Sequence, residues 1–186
     1  MALEGTIDER TVAELNLRAV ELTERKEFVE AARILENLIQ QRPNAGDLHY
    51  NLAIAYEGMG DYGAAERALR NALTVSKEEK PEYLLELAYC LFEMKRLDEA
   101  EVLCRRAVEK EPASARAWNV LGVLSFVQER YEEARACFEK AVELDPGYED
   151  AWFNLADTYE ELGEEEKERE ARDRFRTLRG SRRGPS

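Results

Sequence analysis

The chain has 186 residues, 44% of them apolar and 36% charged, with a formal net charge of -13. So acidic a surface repels nucleic-acid phosphates and anionic lipid, both of which bind through Lys and Arg; basic or apolar polypeptide is the better partner. No stretch approaches the roughly 20 apolar residues of a membrane helix.

Met1 to Arg10 has no basic segment followed by an apolar run, so no secretory signal is expected. Cys90, Cys104 and Cys137 form no CxxC and are odd in number, which suits reduced thiols in a cytoplasmic protein.

In chain order, residues 1–11 form a lead-in. Within it Thr6-Ile7-Asp8-Glu9 reads as a capping box. Leu15, Leu17, Val20 and Leu22 continue an amphipathic helix to about Lys26. A second helix carries Phe28, Ala31, Ile34, Leu35 and Leu38 on one face and stops at Pro43. The next pair spans about Asp47 to Met59 and Asp61 to Val75, broken at Gly58 and Gly60, with Asp61 as an N-cap. The third spans Pro81 to Lys95 and Leu97 to Lys110, with Pro81 in a first turn and Pro112 beyond the end. The fourth spans Ala115 to Glu129 and Tyr131 to Leu144, ended by Asp145-Pro146-Gly147. The fifth begins near Asp150, breaks at Gly163 and runs to about Leu178. No strand pattern is present. The basic end, 179–186, has no apolar residue to bury and is expected to be disordered.

Within this order one sentence repeats. Ala31-x₃-Leu35-x₂-Leu38 returns as Ala65-x₃-Leu69-x₂-Ala72, Ala100-x₃-Cys104-x₂-Ala107 and Ala134-x₃-Phe138-x₂-Ala141, at intervals of 34, 35 and 34 residues. A fixed period in this range marks stacked supersecondary units, none of which buries its apolar face alone. The extra residue falls in Ser76-Lys77-Glu78-Glu79-Lys80, where Lys77 replaces the proline of the other units; a loop absorbs it at little entropic cost. The expected fold is all-α, a right-handed α-solenoid of about five antiparallel helix pairs over 12–178. The units are about 12–45, 46–80, 81–114, 115–148 and 149–178. The last carries a lengthened capping helix, with Glu168 in the alanine position and Ala171-x₃-Phe175-x₂-Leu178 three residues late.

The fourth unit is the most explicit. Trp118-x₂-Leu121-Gly122, Ala134-x₃-Phe138-x₂-Ala141 and Pro146 resemble the tetratricopeptide repeat pattern, with Ser125 where that pattern has Tyr. The fifth opens Trp152-x₂-Leu155-Ala156-x₂-Tyr159 and the second His49-x₂-Leu52-Ala53-x₂-Tyr56; Leu15 and Leu84 take the Trp position in the first and third. The resemblance covers about Val12 to Leu178. In its terms Ala53, Ala88, Gly122 and Ala156 let paired helices approach, and Trp118, Trp152 and Phe138 fill the wider gaps.

Nothing reads as catalysis, and no cofactor or metal is expected. His49, the sole histidine, stands where the pattern wants an aromatic and has no second ligand beside it. The three cysteines fall on faces that pack inward. Runs such as Glu164-Glu165-Glu166 are solvated helix surface, not paired acids in an apolar cleft.

The resemblance implies a protein-binding adaptor or scaffold whose first helices line a concave groove. By position in each first helix, the groove comprises Tyr50, Asn51 and Ile54; Leu85, Glu86, Tyr89 and Phe92; Asn119, Val123 and Phe126; and Phe153 and Asn154. Asp47, Glu57, Glu82, Glu93, Asp157 and Glu160 form its rim. Ala117 to Val127 is apolar nearly all round, so it must be covered on more than one side. The expected ligand is a peptide or amphipathic helix with apolar anchors and basic flanks. Some members of the family clamp a chaperone's C-terminal carboxylate. Asn51 matches one position of that clamp, but Glu82 and Glu86 stand where it needs cations, so that ligand is excluded. A second reading is weak self-assembly, with Arg176, Arg179, Arg182 and Arg183 docking the basic end in a neighbour's acidic groove.

Overall fold

The computed structural model describes residues 8–182. Among them are ten helices and no strand: α1 Glu9–Glu24, α2 Phe28–Gln41, α3 Gly46–Gly58, α4 Tyr62–Val75, α5 Pro81–Glu93, α6 Leu97–Lys110, α7 Ala115–Val127, α8 Tyr131–Leu144, α9 Glu149–Glu161 and α10 Glu165–Arg182. They fall into two compact units. Met1–Arg96 holds α1 to α5, and Leu97–Ser186 holds α6 to α10. Within each unit every helix packs on the next in sequence. No helix among the described residues is long and apolar enough to cross a membrane.

The turn inside each pair passes through one residue with positive φ: Lys26, Gly60, Lys95, Glu129 and Gly163. The following N–H then reaches back over the turn, from Glu27 to Leu22 O at 2.8 Å, Asp61 to Tyr56 O at 3.0 Å, Arg96 to Leu91 O at 2.8 Å, Arg130 to Ser125 O at 2.9 Å and Glu164 to Tyr159 O at 2.9 Å. This is a Schellman closure, which satisfies carbonyls that the helix end leaves open. Lys26, Lys95 and Glu129 hold it at a cost of roughly 1–2 kcal/mol each in backbone strain that glycine would not incur.

The loops between pairs are pinned by a different bond. A ring N–H at the Trp position donates to a proline carbonyl: His49 Nε2 to Pro43 O at 2.8 Å, Trp118 Nε1 to Pro112 O at 2.9 Å and Trp152 Nε1 to Pro146 O at 3.0 Å. This accounts for a histidine in an aromatic position. The third pair lacks both partners, having Lys77 for the proline and Leu84 for the ring.

Paired helices touch through small residues. Ala53, Ala65, Ala134 and Ala156 have no exposed surface. At Gly122 an added Cβ would lie 2.6 Å from the Phe138 ring. Phe138 is itself buried, in a core with Val142, Leu155, Tyr159 and Ala171; Trp118 and Trp152 flank that core half-buried.

Two expectations change at the ends. The N-cap of α1 is Asp8, whose carboxylate accepts from Thr11 N at 2.8 Å; Thr6 lies outside the described residues. At the other end α10 continues through Arg182, so 179–182 are helical, and 183–186 lie outside the described residues. The helix is extended by local contacts that a count of apolar residues does not register. Arg176 pairs with Asp173 at 3.1 Å, Ser181 Oγ donates to Thr177 O at 2.9 Å, and the Arg179 guanidinium covers the Phe175 ring at 5.7 Å.

Gly122→Ala is expected to lower unfolding free energy by about 1–3 kcal/mol in urea denaturation, because the buried Phe138 ring cannot yield. Gly58→Ala meets the half-buried Phe28 ring at 2.3 Å. That ring can swing aside, and Ala gains about 1 kcal/mol of helix propensity, so the loss there is smaller.

Candidate peptide-binding faces

In the first unit α3 and α5 carry the expected groove positions. Tyr50 is half-buried and stacks on Tyr83, with ring centroids 4.9 Å apart. Tyr83 is fully buried, and its phenol donates to Asp47 at 2.5 Å, while Lys80 Nζ reaches the same carboxylate at 2.6 Å. Those two donors, Lys80 first, hold the Asp47 carboxyl below its ordinary range. Ile54 and Phe92 are half-buried, with Lys95 Nζ 5.4 Å above the Phe92 ring. Tyr89 is 42% exposed and meets the edge of Tyr62 at 6.1 Å. Partial burial and then the bond to Tyr62 push its phenol up to about 12.

Three expected lining residues are buried rather than open. Leu85 and Glu86 fall within Tyr83–Ala88, a stretch of α5 buried without a break. Asn119 in the second unit is also buried, its Oδ1 accepting from Asn154 Nδ2 at 3.0 Å. Asn51 is occupied in the same manner, donating to Asn16 Oδ1 at 2.8 Å.

In the second unit Val123 and Phe126 are half-buried. With Phe138, Asn154 and Asp157 they line a cavity of about 60 Å³ between α7, α8 and α9. Tyr131 closes on Phe126 edge-on at 5.3 Å. Phe153 is 42% exposed and lies against Phe175 of α10, centroids 5.3 Å apart.

The acidic rim is partly neutralised from within. Arg172 of α10 reaches Asp157 at 3.4 Å, Glu160 at 2.5 Å and Glu168 at 2.6 Å. Burial raises the Asp157 carboxyl, with Arg172 opposing the shift. Asp47 is paired with Lys80, and Glu57 accepts from the Cys90 thiol at 3.2 Å. Glu82 and Glu93 stand in no ion pair among the described residues.

Arg172, Tyr62 and Tyr131 were missed by motif reading. A signal existed for each. Tyr62 and Tyr131 open their helices at the repeat position held elsewhere by Phe28 and Leu97. Arg172 takes the position of Phe138, while Asp157 and Glu160 take those of Val123 and Phe126. An apolar contact in the fourth unit thus becomes an ionic one in the fifth.

The thiols Cys90, Cys104 and Cys137 are buried. Burial pushes Cys104 up to about 12 and Cys137 up to about 11, and raises Cys90 as well. Among the described residues no group of three or more His, Cys, Asp or Glu side chains is placed to hold a metal ion.

The repeated Schellman turns, the ring-to-proline bonds and the alanine contacts define a protein built of stacked helix-turn-helix repeats. The family model described as the tetratricopeptide repeat protein 21 C-terminal ARM domain matches residues 4–160, and the chain belongs to that family. No curated protein matches the sequence. Among solved structures, pilF of Pseudomonas aeruginosa is 21% identical with a TM-score of 0.83, covering 91% of this chain and 77% of its own. MamA is 19% identical at 0.72, covering 89% and 94%. YrrB, described as a TPR protein with an unusual peptide-binding site, is 23% identical at 0.67, covering 86% and 82%. These likenesses show the fold, an α-solenoid of tetratricopeptide type.

Asp47 titrates in the folded chain below its ordinary 3.8, so its contribution is full above about pH 4 and is lost as pH falls further. Its side chain is 70% exposed, so solvent screening keeps that contribution small. Asp47→Asn should therefore cost under about 1 kcal/mol at neutral pH, and urea titrations repeated in acid should show the gap closing. A thiol reagent at pH 8 should modify none of the three cysteines until denaturant is added.

Proposed function

We propose that the chain is a non-catalytic adaptor that holds a peptide or amphipathic helix by apolar anchors on its first-helix faces. The observation that carries this reading is the cavity of about 60 Å³ lined by Val123, Phe126 and Phe138, with Asn154 and Asp157 at its edge. An apolar pocket with a few polar groups beside it suits one small aliphatic side chain and a backbone amide next to it. The half-exposed Tyr89 face of the first unit is a separate candidate face. Exposed aromatics of this kind carry much of the energy in protein interfaces.

On the Tyr89 face basic flanks of a ligand belong beside Glu82 and Glu93, which form no ion pair among the described residues; on the second unit's face Asp157 and Glu160 are already served by Arg172. The family and the peptide-binding description of YrrB agree with a binding role. Docking of the basic end in an acidic groove draws less support. Arg176 and Arg179 are engaged by Asp173 and Phe175, and the acids nearest α10 are filled.

The test is fluorescence anisotropy against a peptide library with aliphatic anchors and varied flanks. The expected result is selection of Lys- or Arg-flanked sequences, with binding at least tenfold weaker in Phe126→Ala and in Tyr89→Ala, each checked for unchanged helicity. Equal affinity in the native chain and both variants would reject these faces.

A further inference from the structure

Successive helix pairs are joined at two recurring points. On the first helices, the fifth position of one pair meets the sixth of the next: Asn51 donates to Asn16 at 2.8 Å, and Asn154 to Asn119 at 3.0 Å. The residue after the leading alanine position pairs with the residue four before that position in the next repeat, which lies just ahead of the second helix. The instances are Glu66 with Arg96 at 2.7 Å, Glu101 with Arg130 at 2.6 Å and Arg135 with Glu164 at 2.7 Å.

The two end faces of the chain carry unmatched halves of both points. On the last pair, the fifth-position residue is Phe153, 42% exposed, and the residue after Glu168 is Arg169, exposed. On the first pair, the sixth-position residue is Leu17, 60% exposed, and the residue four before Ala31 is Glu27, also exposed. Neither Arg169 nor Glu27 stands in an ion pair among the described residues. Each half matches the other: apolar meets apolar, and cation meets anion.

We propose that copies of this chain dock end to end, the first helix pair of one on the last pair of another, with Leu17 against Phe153 and Glu27 against Arg169. The contact continues an interface the chain already makes internally, and its two halves differ, so it is heterologous. Each added copy leaves one free end of each kind, which gives a ring where the rotation closes and a filament where it does not. The proposal rests on the end faces alone and is independent of the peptide-binding reading.

The test is sedimentation velocity of the full chain at low salt over a concentration series reaching millimolar. The mass of the native protein is expected to rise with concentration and to fall back on adding salt. Arg169→Glu alone and Glu27→Arg alone should each weaken association at least tenfold. Assembly should return when the two variants are mixed, and in the chain carrying both changes, because each restores opposite charges across the contact. Leu17→Asp should weaken association without being rescued by either. These are exposed positions, and circular dichroism checks that the variants fold. A constant monomer mass overturns the proposal. So do reversals that leave the mass unchanged, or a double variant that stays monomeric. Assembly lost on deleting 183–186 yet intact in Arg169→Glu would assign the contact to the basic end instead and equally overturn it.

Discussion

A helix pair of this length cannot enclose a core, so each pair must complete its packing on the next one. That requirement accounts for most of what is seen. It explains why the side-chain bonds that join units span one period, as in Tyr83 to Asp47 and Asn154 to Asn119. It explains why the residues at the crossing points are alanine or glycine, since a longer side chain at Gly122 would drive the Phe138 ring out of the core. It also explains why the extra residue at 76–80 is tolerated, because only the loop between pairs can lengthen without shifting a contact.

The same requirement decides which aromatic surface stays open. A first helix covered on one side by its neighbour leaves aromatic positions half-open on another, and these are Tyr89 in one unit and Phe126 in the other. The fifth pair closes the sequence of faces in a different manner. There Arg172, Asp157 and Glu160 replace Phe138, Val123 and Phe126, and the apolar contact is exchanged for an ionic one. A helix surface rich in charge lasts in water without a cover, whereas the apolar equivalent would not.

Much of the fold was legible because it rests on periodic burial. The alanine period, the proline stops and the N-cap at Asp61 follow from residue type and spacing, and the structure repeats them. Three of the five tight turns were not legible as such. Lys26, Lys95 and Glu129 adopt positive φ with no glycine to announce it, because the Schellman bonds around them outweigh the strain. His49 and Pro43 were each noticed, but their bond was not, since it spans a loop whose path residue types do not give. Of the candidate face, the aromatic members Tyr89 and Phe153 emerged exposed, while Leu85, Glu86 and Asn119 emerged buried. Helical position says which way a side chain points; it does not say what neighbouring helices then lay over it.

The ion pairs that recur from repeat to repeat do not all run in one direction. Glu66 and Glu101 take arginine from the unit that follows, but Arg135 takes glutamate. The reversal makes the units unequal partners during folding, although their cores are nearly alike. A slip that stacked the fifth pair directly on the third would bring Glu164 against Glu101, two carboxylates at a point where Glu101 natively meets Arg130 and Glu164 meets Arg135. Repeat chains are prone to such misregistered assembly, because any unit offers an apolar face that fits any other. One exchange of sign thus works as a checksum on repeat order: it leaves the correct register undisturbed and penalises the shortened one.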